Sequence, residues 1–135
     1  MIIGNVTMNC KIMIVDDEEH IRRLYTEELQ DEGYNVVTLS TGFRILEKVE
    51  REKPDLIILD VKLIDYNGLE LLHLIKERFP WLPAGLCSAY DTFMEDMKSI
   101  IADFYVIKSY DLSELKNNIA WTLDQFRQNK LHYII

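Results

Sequence analysis

Five times along the chain a short run of apolar, often β-branched residues gives way to a longer segment, and this alternation narrows the fold more than any other feature. Apolar runs of this length, without an in–out alternation, suit strands covered on both faces, and the segments between them can cross back as helices. Strands are predicted at residues 11–15, 35–39, 56–59, 84–87 and 104–107. The first helix is predicted over 18–32, because Ile21, Leu24, Tyr25 and Leu29 share a stripe and Gly33 stands where a left-handed C-terminal cap belongs. Further helices are expected over 41–51, 68–78 and 91–101, with Met94 and Met97 packing the inner face of the last of these. Pro80 and Pro83 punctuate the entry to the fourth strand. The final helix opens at Asp111-Leu-Ser-Glu114, close to a capping box, and presents Leu112, Leu115, Ile119 and Phe126 on one side. The economical reading is one doubly wound α/β domain over residues 1–135, with its core at about 10–126 and no output domain.

Charge and cysteine content exclude several functions. A net charge of −8 disfavours direct nucleic-acid binding, which depends on Lys and Arg neutralising phosphates. Cys10 and Cys87 are far apart and read as small buried residues rather than a disulfide or zinc pair. His20, His73 and His132 lack metal-site spacing. No segment has the form of a signal peptide or a membrane span, so a cytoplasmic protein without membrane insertion is expected.

In doubly wound folds ligands gather at the carboxyl ends of the strands. Here those ends carry Asp16 and Asp17, then Asp60, Ser88 and Lys108. Carboxylates gathered together repel one another unless a cation lies among them, and an all-oxygen set without His or Cys favours Mg²⁺. Lys108 supplies a further positive charge suited to a phosphoryl group, and the Ser88 hydroxyl can donate to one of its oxygens. A carboxylate can itself be the nucleophile in phosphoryl transfer, and Asp60 ends what should be the central strand.

Ile-Met-Ile-Val-Asp16-Asp17, Leu-Ile-Ile-Leu-Asp60, Cys-Ser88-Ala89-Tyr90 and Phe-Tyr105-Val-Ile-Lys108 resemble, in order and spacing, the receiver domain of bacterial response regulators. The resemblance implies a flavodoxin-like sheet of order 2-1-3-4-5 with helices on both faces. It implies that Asp60 takes a phosphoryl group from a sensor histidine kinase or histidine phosphotransfer protein. Mg²⁺ would be held by Asp17, Asp60 and the Lys62 backbone carbonyl, with Asp16 assisting. Ser88 and Tyr105 would form the switch, read by a downstream protein on the face of the fourth helix, fifth strand and last helix, with homodimerisation on phosphorylation left open. Asn67-Gly68 and Lys108-Ser109-Tyr110 also look like family turns.

Two prolines usual in that family are missing, Ile64 and Ser109 standing in their places. The family's bond after the lysine is typically cis. A non-proline cis bond costs about 3–4 kcal/mol, so Lys108-Ser109 is either strained or trans, which bears on where Lys108 points. Lys62 and Tyr90 are bulky where an attacking water would approach, which predicts slow hydrolysis of the phosphorylated form. Two other classes of function compete. A haloacid-dehalogenase-type phosphohydrolase would want a second Asp where Lys62 stands; a constitutive interaction module would keep the fold and take no phosphate. A flavin-binding protein would want a hydroxyl- and Gly-rich loop where Asp16 and Asp17 occur.

Overall fold

The alternation resolves into a single parallel sheet. The structure is a computed structural model describing residues 9–89 and 101–134, with side chains described as far as Arg127. Its elements run β1 (Lys11–Val15), α1 (Glu19–Asp31), β2 (Asn35–Leu39), α2 (Ile45–Glu52), β3 (Leu56–Asp60), α3 (Gly68–Arg78), β4 (Ala84–Ser88), β5 (Phe104–Ile107) and α4 (Ser113–Ile134). The strand order is β2-β1-β3-β4-β5, every neighbouring pair parallel, as expected.

Successive side chains of a strand point to opposite faces, so each strand supplies two cores. On one face Ile12, Ile14, Leu56, Ile58, Phe104 and Val106 meet Tyr25 and Leu29 of α1 and Leu115 and Ile119 of α4. On the other face Met13, Val15, Ile57, Leu59 and Leu86 meet Val49 of α2 and Leu72 and Ile75 of α3. Leu56 to Leu59 are all buried, and full burial of such a side chain contributes roughly 1.5–3 kcal/mol. Gly85 in β4 lies under the Phe104 ring, which a Cβ there would overlap.

The local signals act largely where the sequence put them. Gly33 takes φ 99° and closes α1, with its N–H on Gln30 O at 3.0 Å and Tyr34 N–H on Leu29 O at 3.2 Å. Helix α2 begins at Ile45 rather than residue 41, because Arg44 is left-handed (φ 54°) and Thr41 Oγ1 accepts the Phe43 N–H at 3.0 Å, holding a turn there. At the start of α4, Asp111 Oδ1 accepts from Ser113 N–H at 3.0 Å and Ser113 Oγ–H at 2.7 Å, an Asx turn in place of the expected capping box. Cys87 is buried, but Cys10 is only half-buried. The helix expected over 91–101, all but its last residue, lies outside the described residues, as do Met94, Met97 and Tyr90. Among the described residues no helix is long and apolar enough to cross a membrane.

The ladder extends one residue further than predicted in two strands. Asp60 pairs in register with Cys87, and Ser88 with Ile107, so both polar residues sit on the sheet itself at its carboxyl edge.

Candidate functional site

The carboxyl ends of β1, β3, β4 and β5 open at one edge of the sheet, where an acidic mouth forms. Asp16 follows β1 and is 3% exposed, with its N–H bonded to Leu39 O at 3.0 Å and its carbonyl accepting Arg22 Nη1 at 2.8 Å. Its Oδ1 accepts the Glu18 N–H at 2.9 Å, turning the chain into α1. Asp60 ends β3 at 5% exposure, and its Oδ1 accepts the Lys62 N–H at 3.2 Å. Gly68 opens α3 against this strand end; a Cβ there would overlap the Asp60 carbonyl oxygen and crowd Val61 Cα, so the close approach requires glycine.

Lys108 comes from the loop after β5. Its N–H donates to Ser88 O at 2.7 Å, and its Nζ meets Glu18 Oε1 at 2.8 Å, Asp16 Oδ2 at 2.9 Å and Asp60 Oδ2 at 3.1 Å. The described residues contain no cis peptide bond, so Lys108-Ser109 is trans, and Lys108 reaches the carboxylates all the same. Burial alone would lower the lysine's pKa. Its hydrogen bonds to Glu18 and Asp16 and the charges of Asp16 and Asp60 outweigh that and hold it above the ordinary value.

One cation does not satisfy the cluster. Carboxylate oxygens of Asp16, Asp17, Glu18 and Asp60 lie within 4.8 Å of one another. Burial, then repulsion from Asp16, push the Asp60 carboxyl up to about 6 in spite of Lys108. An all-oxygen group with uncompensated negative charge is the donor set of a hard divalent cation, so the residues fit Mg²⁺.

Asp16, Asp17, Asp60 and Lys108 are thus together, as the sequence predicts, with Ser88 buried beside the Lys108 backbone. Tyr105 is half-buried on the sheet face opposite Phe104 and Val106. Lys62 is exposed in the loop after β3. Two participants escaped the sequence reading. Glu18 reads in the sequence as the first residue of a helix, although its place directly after the Asp pair marks it as a third acid. Ile64 stands out in the sequence only as a missing proline; its N–H donates to Asp17 Oδ2 at 2.8 Å.

Comparison with known proteins agrees with this geometry. A sequence model of the response regulator receiver domain matches residues 12–120. The chain is 36% identical over 114 residues to the alkaline phosphatase synthesis transcriptional regulatory protein PhoP of Bacillus subtilis, covering 83% of this chain but only 48% of PhoP, about half its length. It is 32% identical over 114 residues to sporulation initiation phosphotransferase F of the same organism, covering 83% of this chain and 92% of that one. The response regulator TrrA of Thermotoga maritima, solved with Mg(2+)-BeF, superposes with a TM-score of 0.79 at 38% identity over 84% of this chain and 98% of TrrA. TrrA in complex with the histidine kinase ThkA gives a TM-score of 0.77 at 38% identity, over 84% and 97% of the two chains. With the sheet order, the acidic edge and the lysine already in place, this chain belongs to the response regulator receiver domain family.

Proposed function

We propose that Asp60 accepts a phosphoryl group from a phosphohistidine, carried by a sensor histidine kinase or a histidine phosphotransfer protein, and that the aspartyl phosphate then switches protein contacts. The observation that carries this reading is the position of Lys108 Nζ, 3.1 Å from Asp60 Oδ2 within a group of four carboxylates. An Asp60 oxygen attacks phosphorus; the new O–P bond forms as the N–P bond breaks, and the electron pair leaves with the imidazole. Lys108, already at that oxygen, turns to the transferred phosphoryl group, and the Ser88 hydroxyl donates to another of its oxygens. Mg²⁺, held by Asp17, Asp60 and the Lys62 carbonyl with Asp16 assisting, supplies positive charge to the phosphoryl oxygens when bound.

Tyr105 changes rotamer with Ser88 and carries the state to the surface of β5, α4 and the segment before β5, where a downstream protein docks and phosphorylated copies can pair. The chain works in the cytoplasm as a signalling module rather than as a turnover catalyst, and an acidic surface of net charge −8 suits a protein target better than nucleic acid. The capture of TrrA with Mg(2+)-BeF and with the histidine kinase ThkA supports the same reading here. Lys62, exposed in the loop after β3, and Tyr90, two residues past Ser88 in the sequence, lengthen the lifetime of the phosphoryl group.

The test is intact-mass spectrometry after incubation with acetyl phosphate, with and without Mg²⁺. One phosphoryl group should appear only with Mg²⁺ and be absent in Asp60→Asn, and Lys62→Asn should speed its loss. No adduct on folded wild-type protein would refute the phosphoryl-acceptor reading and favour a constitutive interaction module.

A further inference from the structure

We infer that the backbone N–H of Ile64 is a positioning group for the metal ligand Asp17. The inference rests on the proposed Mg²⁺ site and goes beyond it, because none of the residues assigned to that site lies in the outer part of the loop after β3. The Ile64 N–H donates to Asp17 Oδ2 at 2.8 Å across 47 residues of sequence. Asp17 is half-buried and Ile64 is 89% exposed, so the Ile64 side chain does little packing and its amide is what this residue contributes to the site.

The loop holds that amide in place from both sides. Lys62 and Asn67 form an antiparallel bridge, Leu63 N–H donates to Tyr66 O at 3.2 Å, and Gly68 N–H donates to Val61 O at 2.8 Å. Asn67 Oδ1 accepts the Leu69 N–H at 2.8 Å and so locks the loop onto α3. Next to Ile64, Asp65 Oδ2 accepts Thr41 Oγ1–H at 2.6 Å, tying the loop to the turn after β2. A donor fixed in this way orients a carboxylate, while one N–H uses only part of the acceptor capacity of its two oxygens. The remaining capacity can face a cation. Asp17 is therefore gathered before the ion arrives, which reduces the ordering that binding would otherwise require.

Two substitutions separate the amide from the side chain: Ile64→Ala keeps the N–H and Ile64→Pro removes it. Proline is the family's usual residue at this position, so the amide is a feature of this chain: Mg²⁺ affinity should be unchanged in Ile64→Ala and weaker by roughly two- to threefold in Ile64→Pro, less than the loss of a ligand's supporting partner usually brings. At saturating Mg²⁺ the two variants should take phosphoryl from acetyl phosphate at equal rates, a split that general damage to the fold would not produce. In metal-free protein that keeps Ile64, Asp17→Ala should shift the Ile64 amide proton upfield in an NMR spectrum while the Leu69 amide stays in place; this readout does not depend on the proline variant folding. Equal or tighter Mg²⁺ binding by Ile64→Pro than by Ile64→Ala, or an Ile64 amide unmoved by Asp17→Ala, would overturn the inference and leave the phosphoryl-acceptor reading standing. Failure of the wild-type protein to bind Mg²⁺ at all would overturn both.

Discussion

Replacing Asp60 by Asn should make the metal-free protein more stable, although it removes a buried ion pair. The Asp60 carboxyl is pushed up to about 6 from 3.8, first by burial and then by Asp16. This is a net displacement, in which the favourable contact with Lys108 at 3.1 Å is already included. Each pKa unit corresponds to about 1.4 kcal/mol, so the ionised side chain costs at most about 3 kcal/mol, and about 2 kcal/mol after allowing for solvent screening at the mouth of the site. The sign is the reverse of the usual Asp. The folded value lies above the unfolded one, so this group erodes stability as pH rises from about 4 to about 6, and the loss is complete above that window. Asn is neutral at every pH. Urea unfolding at pH 7.5 in EDTA should therefore show Asp60→Asn more stable than wild type by about 2 kcal/mol, the gain falling to about half at pH 5 and nearly to zero below about pH 4. Saturating Mg²⁺ should narrow or invert the difference, since an ion at 100 times its Kd adds about 2.7 kcal/mol to the protein that binds it. If Asp60→Asn proves equally or less stable than wild type at pH 7.5 in EDTA, the picture of an overcharged acidic mouth is wrong.

Other parts of the site make sharper local tests. Glu18→Gln should change stability by no more than about 0.5 kcal/mol, because the Glu18 side chain is 47% exposed. It should nevertheless raise the rate of phosphorylation by acetyl phosphate at saturating Mg²⁺ by roughly two- to fivefold, through loss of one like charge from the mouth and of a competing partner for Lys108; an unchanged rate would show that Glu18 is a bystander. Gly68→Ala should lower the urea-derived stability by at least about 2 kcal/mol, because the new methyl meets backbone at Asp60 and Val61 rather than a yielding side chain. Cys87, whose thiol burial pushes up to about 11 and which lies 3.4 Å from Tyr25 Oη, should resist alkylation at pH 8 until the protein unfolds. Mass spectrometry of the folded protein should then find the first adduct on the half-buried Cys10.

The fold was legible because it depends on short-range patterns. Period-two exposure sorts Ile12 and Ile14 from Met13 and Val15 whatever the rest of the chain does, and Gly33 closes α1 for a reason confined to its own backbone. Asp16, Asp60, Ser88 and Lys108 were legible for a related reason: in a parallel sheet every strand end points the same way, so residues at four such ends must meet. Helix α2 starts later than the apolar period predicts because a left-handed Arg44 precedes it, and no residue type there announces it. Glu18 and Ile64 lie beyond what a sequence pattern carries. Which carboxylate Lys108 touches depends on a loop path of several flexible torsions, and a backbone N–H has no letter of its own in a sequence; the donor at position 64 becomes visible only when the chain is folded and Asp17 lies 2.8 Å away. The same physics makes that contact informative. An amide present at nearly every position directs chemistry only where the surrounding loop is fixed, and here the bonds at Leu63, Asp65, Asn67 and Gly68 fix it. Pattern places the acidic residues at one edge of the sheet, and the loop after β3 decides how one of them, Asp17, is held.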